Sequence, residues 1–429
     1  MKTLHVTGRY LADQHDKPFF YLGDTAWEIF HSLSREEADF YLEERARQGF
    51  NVIQAVALAE FDGIRTPNAY GRHPFKSVNG SWADCISDEE EGYNYWMHVD
   101  YIIEAAAKLG LFIAFLPTWG DKFNISFGKG PEIFNPQNAY SYACWLANRY
   151  KSHWNIIWML GGDRPLEPSH VEVIEAMAHG IKSSGDTHLI TFHPYGASTS
   201  TDCLANAEYI DFHTAQTGHA TVPVYATHEV MQTMSKATDK PFMDSEPRYE
   251  DHPACFNANY GYFWNADDVR QNAYWNLMEG VCGHTYGNHS IWAFNRQIQE
   301  YWPFRWNDVL RHDGAEQIHF IKDLRLSRDY FSFRSCPEFV IDNKAIMGHI
   351  ASGIGDGYAF IYSPLGLPFV AHLDLLNAKD VKASWFDPCS GETKTFAVLP
   401  GKGDAQFVPP TQGKGCDWVL ILDVLEKIG

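Results

Sequence analysis

Residues 19–58 read FFYLGDTAWEIFHSLSREEADFYLEERARQGFNVIQAVAL, one complete unit of the pattern that fills most of this chain. The unit opens on an apolar run that turns polar at Gly23, Asp24 and Thr25. A run without alternation suits a strand covered on both faces. Ser34 then offers an N-cap, Glu36 and Glu37 sit where a helix N-terminus favours anions, and Gly49 supplies a stop. A second apolar run, NVIQAVAL, follows at once. Two strands joined through a crossover helix lie parallel in one sheet.

The alternation continues through residue 332. Strands are read at LFIAFLPTW (111–119), NIIWMLGGD (155–163), HLITFHP (188–194), IDFHTAQTG (210–218), PFMDSEPRY (241–249) and VCGHTYGN (281–288), and amphipathic segments separate them. Eight strand–helix units in series predict a (β/α)8 TIM barrel over residues 1–335, preceded by a short hairpin. A doubly wound sheet that binds a dinucleotide would carry a GxGxxG turn after its first strand; here that turn is GDTAW. After residue 335 the texture changes to short runs such as YAFIYSP, FVAHLDLL, TKTFAVLP and WVLILDV between Gly, Pro and Asn turns. This predicts a small antiparallel β-sandwich over residues 336–429, with a structural role.

Composition narrows the partners. A formal charge of −20 opposes binding to a phosphate backbone, so no nucleic-acid partner is expected. No apolar run is long enough for a membrane span, and residues 1–10 lack the apolar core of a signal peptide. The expected location is cytoplasmic, or the chain has lost a leader. Eight cysteines stand singly, without a CxxC pair, and are expected to be reduced thiols with no part in the chemistry. Fourteen Trp and 22 Tyr supply aromatic faces that pack cores and also stack on sugar rings.

In such a barrel the chemistry sits at the C-terminal ends of the strands, where eight loops converge. Those ends carry Asp24 and Trp27; Gln54; Trp119 and Asp121; Asp163 and Arg164; His193 and Tyr195; His213 and Gln216; Asp244, Glu246, Arg248 and Tyr249; and His284, Tyr286, Asn288 and His289. Carboxylates, histidines and aromatics around one mouth, without a phosphate cradle, suit a neutral polyol. Cleaving a glycosidic bond needs one carboxyl to protonate the leaving oxygen and another to attack or to direct water. Asp163 after two glycines, and Glu246 on the same side as Asp244 but nearer the mouth, are the expected pair. Asp24, Trp27, Gln54, Trp119, Asp121, His193, Tyr195, His213, Gln216, Tyr249, Tyr286 and His289 are expected to bind substrate. The histidines also permit a metal-dependent hydrolase, but the usual His-x-His on strand one is replaced by GDTAW, so neither metal nor cofactor is expected. A third reading is a carbohydrate-binding barrel without activity.

GDTAW, NIIWMLGGDRP, PFMDSEPRYE and the terminal YAFIYSPLGLPF and SWFDPCSGE together resemble the apiosidase-like glycoside hydrolases, over nearly the whole chain. Their small second domain is of the collagen-binding type. The resemblance implies a retaining barrel glycosidase with Asp163 as acid/base and Glu246 as nucleophile, in a family whose members include enzymes acting on the apiose of plant pectin; the leading reading is a retaining, exo-acting glycosidase on a plant glycan. Many barrel glycosidases carry Asn-Glu on strand four; Gly162-Asp163 departs from that larger pattern and agrees with the apiosidase-like subgroup. The sugar, its linkage and the oligomeric state are not legible.

Overall fold

The computed structural model describes residues 3–76, 92–220, 225–344 and 346–427. A three-stranded antiparallel sheet, Leu4–Thr7, Tyr10–Asp13 and Pro18–Phe19, precedes the barrel. The barrel strands are β1 (Tyr21–Thr25), β2 (Val52–Val56), β3 (Phe112–Leu116), β4 (Ile156–Gly161), β5 (Ile190–His193), β6 (His213–Gln216), β7 (Phe242–Asp244) and β8 (Gly283–Tyr286). The helices between them are α1 (Arg35–Arg47), α2 (Tyr95–Lys108), α3 (Pro136–Tyr150), α4 (Pro168–Ser183), α5 (Thr201–Leu204), α6 (Tyr225–Ala237) and α7 (Ala266–Met278); α8 (His319–Leu326) follows β8. Ser34 caps α1 in a reciprocal box with Glu37, and Asn265 caps α7 in the same way with Asp268.

The parallel strands run in spatial order β5-β4-β3-β2-β1-β8-β7-β6. Between β5 and β6 side chains replace the ladder. The Thr191 hydroxyl donates to the Phe212 carbonyl at 2.7 Å, the Thr214 hydroxyl donates to the Phe192 carbonyl, and the Asp211 N–H donates to Ile190 at 2.8 Å. Beyond this seam the short Ser198–Thr199 strand pairs antiparallel with the outer end of β6. The backbone groups that closure would otherwise strand are thereby satisfied.

Alternation along the strands separates two apolar clusters. Ile53, Ile113, Phe115, Trp158 and Leu160 pack with Tyr41, Ile102, Tyr142 and Ile174 of the surrounding helices. Val52, Phe112, Ala114, Ile157 and Met159 join Tyr21, Phe212 and Met243 in the other cluster.

The C-terminal region is a six-stranded antiparallel sheet facing a three-stranded one. The short strand Arg334–Ser335 already belongs to the larger sheet, pairing with Ile354 and Gly353. Phe339, Ile361, Phe369, Val381, Trp385, Phe407, Leu420 and Leu422 form the core between the sheets. The opposite face of the larger sheet packs on the barrel: Phe360, Tyr362 and Ile421 cluster with Trp275 and Met278 of α7, and Tyr274 stacks on Tyr362 at 5.3 Å. Enclosed from both sides, α7 is buried from Asp268 to Met278. Cys144, Cys203, Cys255, Cys282, Cys336, Cys389 and Cys416 carry no disulfide. Cys85 and the rest of residues 77–91, in the long loop after β2, lie outside the described residues.

Charge also crosses this interface. The Arg270 guanidinium donates to Asp417 through Nη2 at 2.7 Å and Nε at 3.0 Å, with both side chains at most 4% exposed. Removing one partner of a buried pair leaves the other charge uncompensated, at a cost of about 3–5 kcal/mol, whereas apolar replacement of both is often neutral. Asp417→Ala is therefore expected to lower unfolding stability by about 3 kcal/mol. Arg270→Met with Asp417→Leu should recover most of it in urea titrations. An Asp417→Ala protein as stable as the parent would show that this pair does not hold the interface.

Candidate active site

A cavity of about 390 Å³ opens at the C-terminal ends of the strands. Its wall includes Asp163, which follows β4, and Glu246, which follows β7. The path to Asp163 is unusual backbone. Gly161, Gly162 and Asp163 all have positive φ, at 94°, 121° and 47°. A Cβ on Gly161 would lie 2.4 Å from the His193 carbonyl, and one on Gly162 2.8 Å from the Gly120 nitrogen, so only glycine fits these two positions. Asp is among the few other residues that tolerate the left-handed conformation.

Glu246 is held through histidine. The Tyr249 N–H donates to His219 Nδ1 at 3.3 Å, which places the ring proton on Nε2, and that proton is donated to Glu246 Oε1 at 3.0 Å. His193 Nε2 stands 2.9 Å from Oε2. Oε2 is itself buried, with that imidazole at hydrogen-bonding distance. Beneath it Asp244, entirely buried, accepts from the Thr217 hydroxyl at 2.6 Å and from Asn276 Nδ2 at 3.1 Å.

The two carboxyls differ in proton affinity. Burial pushes Asp163 up to about 7, and the charges of Glu246 and Glu60 push in the same direction against His193 and Arg164. Burial opposes ionisation of Glu246 as well, but hydrogen bonding and electrostatic attraction from the His193 and His219 imidazoles outweigh it and hold this carboxyl well below its ordinary range. Two carboxyls driven apart in this way can serve one as acid and the other as base or nucleophile.

Of the other residues expected here, Trp27, Trp119, Tyr195, Gln216, Tyr249 and His289 line the cavity. His193 lies behind the wall, against Glu246 and between Trp27 at 5.2 Å and Trp119 at 5.6 Å. Five are placed elsewhere. Asp24 is buried under the turn, bonded to Arg45 Nε at 2.6 Å and to the Tyr41 hydroxyl. Gln54 points into the barrel and donates to the Ser245 carbonyl at 2.9 Å. Asp121 pairs with Lys122 at 2.5 Å and accepts from the Gly130 N–H at 2.8 Å, which holds its own loop. His213 bonds Ser200 at 2.9 Å, and the Tyr286 hydroxyl bonds Glu250. Each of these five uses at least one polar atom to hold the scaffold. Arg164 is likewise fixed, to the Asp163 carbonyl at 2.7 Å and to Glu60 at 3.0 Å.

The cavity also contains residues that the strand-end reading passed over. Glu60 arrives on the loop after β2, His219 three residues past β6, and His252 with Phe256 on the loop after β7. A histidine three residues past a strand end, in AQTGH, is the one signal the sequence offered. Among the described residues, no lysine or arginine lines the cavity. Aromatic faces flank it, with Trp27 against Trp119 at 5.1 Å and Trp292 against Phe61 at 5.1 Å.

Comparison with known proteins fits this geometry. Residues 5–332 match the family described as "Apiosidase-like, catalytic domain", and residues 339–423 match "Putative collagen-binding domain of a collagenase". No curated protein sequence matches the chain. A solved structure titled "Glycoside hydrolase" is 29% identical, with a TM-score of 0.89 over 99% of this chain and 97% of its own. A glycoside hydrolase family 5 protein from Bacteroides vulgatus is also 29% identical, with a TM-score of 0.89 over 98% and 94% of the two chains. A β-L-arabinopyranosidase from Geobacillus stearothermophilus shares the fold at 13% identity, with a TM-score of 0.56 over 96% and 97%. The chain belongs to the apiosidase-like family of catalytic domains and is a glycoside hydrolase built on a (β/α)8 barrel.

Proposed function

We propose that this enzyme is a retaining, exo-acting glycosidase that releases a neutral sugar from a plant glycan, with Asp163 as acid/base and Glu246 as nucleophile. One observation carries the reading: in a single cavity wall the His219 and His193 imidazoles, 3.0 and 2.9 Å from its two oxygens, hold Glu246 ionised, while Asp163 holds a proton near neutrality. Asp163 gives that proton to the glycosidic oxygen as its bond to the anomeric carbon breaks, and the Glu246 carboxylate forms a bond to the same carbon. Water then adds to that carbon and returns a proton to Asp163, the bond to Glu246 breaks, and the configuration is kept. A cavity of this size takes one or two sugar rings, which supports exo action. The absence of lysine and arginine among the described residues of its wall supports an uncharged ring. The family match supports an apiose-containing pectic glycan as the first substrate class to test.

Asp163→Asn and Glu246→Gln are each expected to lower kcat on the order of 10³-fold or more, with thermal unfolding nearly unchanged. A tenth of parental activity in either variant would overturn the assignment. Proton NMR of the first-formed sugar should show the substrate's own anomeric configuration, and an inverted product would make Glu246 a base acting through water. Activity should persist through exhaustive chelation. Loss on EDTA with recovery on zinc would favour a metal-dependent hydrolase instead.

The pH profile has a defined sign. Activity requires Asp163 protonated and Glu246 ionised, so the alkaline limb should lie near pH 7. Glu60→Gln removes a negative charge that raises Asp163, so the limb should move to lower pH. His219→Ala removes a donor that keeps Glu246 ionised, so the acid limb should move to higher pH. Movement of either limb in the opposite sense would separate it from the group named.

A further inference from the structure

We propose that His289 determines specificity as a fixed hydrogen-bond acceptor for one hydroxyl of the sugar in the cavity, so that a ring lacking that hydroxyl is rejected at the chemical step. The proposal rests on the glycosidase reading above and adds what the site must recognise. His289 follows β8 and forms part of the cavity wall, with 1% of its surface exposed. Its backbone N–H donates to the Glu250 carbonyl at 2.8 Å. Its ring lies flat on Trp302, with centroids 4.1 Å apart and planes 11° apart, and His252 and Tyr301 pack edge-on at 4.5 and 4.9 Å. Neither the backbone nor the ring can turn without breaking these contacts.

The tautomer is fixed as well. Nε2 lies 2.9 Å from the Tyr301 carbonyl, an acceptor without a proton, so Nε2 must carry the ring proton and donate it. Nδ1 is therefore a lone-pair acceptor. It is buried and has no partner among the described residues. Burial also drives the ring toward the neutral form, down to about 3, so the acceptor does not change character across the working pH range. A buried acceptor left unsatisfied costs free energy, and a site built around one discriminates steeply against a ligand that lacks the matching hydroxyl. The reverse case, an apolar pocket, discriminates weakly, so the steepness of rejection reports the mechanism.

Besides Glu246, two further wall residues hold a buried polar atom without a hydrogen-bond partner among the described residues, the Gln216 Oε1 acceptor and the Trp119 Nε1 donor. The class of ligand they describe with His289 is a neutral polyol that donates toward β6 and β8 and accepts toward β3.

The test uses the full-length enzyme, an aryl glycoside that it hydrolyses, and the complete set of monodeoxy congeners of that glycoside. In the parent enzyme one congener should lose on the order of 10²-fold or more in kcat/KM, mainly through kcat. His289→Ala should lose comparable activity on the parent glycoside while discriminating little against that congener, so the two losses do not add. The intrinsic reactivity of the deoxy sugar cancels in this cycle. Asn places Oδ1 close to where histidine carries Nδ1, and Gln does not, so His289→Asn should recover discrimination that His289→Gln lacks. Additive losses in a folded His289→Ala protein would overturn the proposal. So would a parent enzyme that tolerates every deoxy congener within tenfold, whether or not the variants fold. A parent enzyme inactive on all glycosides would instead overturn the glycosidase reading on which the proposal rests.

Discussion

Two carboxyls that face one small, largely buried cavity cannot both carry charge without penalty, and the rest of this site is arranged around that constraint. Burial raises both groups, so the difference between them must come from partners. Glu246 receives a directed N–H from His219, whose own tautomer is set by a backbone amide, and a second imidazole stands beside its other oxygen. Asp163 receives no comparable donor. The cation nearest to it, Arg164, spends its shorter contacts on the Asp163 carbonyl and on Glu60 and approaches the carboxyl only to 3.5 Å. The ionised carboxylate then raises the proton affinity of the other, and the asymmetry reinforces itself.

The backbone carries a matching cost on the Asp163 side. Three consecutive positive φ values bend the chain inward at the end of β4, and the turn is packed so tightly against Gly120 and the His193 carbonyl that no side chain fits before the aspartate. A left-handed non-glycine residue costs of order 1–3 kcal/mol and persists where its surroundings over-determine it. The turn sets Asp163 in the cavity wall, and on the acid/base role proposed above it is how an aspartate serves where many barrel glycosidases carry a longer glutamate. The departure from Asn-Glu visible in the sequence and the strained turn visible in the structure are one adaptation.

How far the sequence could be read follows from which interactions are local. Ser34 with Glu37, and the unbroken apolar runs, report backbone conformation within a few residues, so the barrel was legible. Asp163 and Glu246 were legible because strand ends point to one place in this architecture. Asp24 was not, because its fate depends on Arg45, a charged residue buried inside α1 that nothing in a helical pattern marks as an inward partner. Gln54 and Asp121 were misplaced for the same reason: long-range contacts decide whether a polar strand-end group faces the ligand or the scaffold. Glu60, His252 and Phe256 reach the cavity on loops whose course no local signal sets.

The C-terminal sandwich can be placed in the same causal chain. One face of its larger sheet, the face that a free binding module could present, is covered by α7. Helix α7 in turn reaches the catalytic end of the barrel through Asn276, which donates to Asp244, and Asp244 also takes the Thr217 hydroxyl from the β6 side. Asp244 ends β7, two residues before Glu246. Contacts therefore run from Asp417 of the sandwich through Arg270 along α7 to the strand that carries Glu246. In the role proposed for Glu246, a group that must meet a sugar carbon to within a few tenths of an ångström needs rigid support behind it. Burying α7 on every side supplies that support, which a helix with one face in solvent would not, and on this argument the sandwich belongs to the catalytic unit.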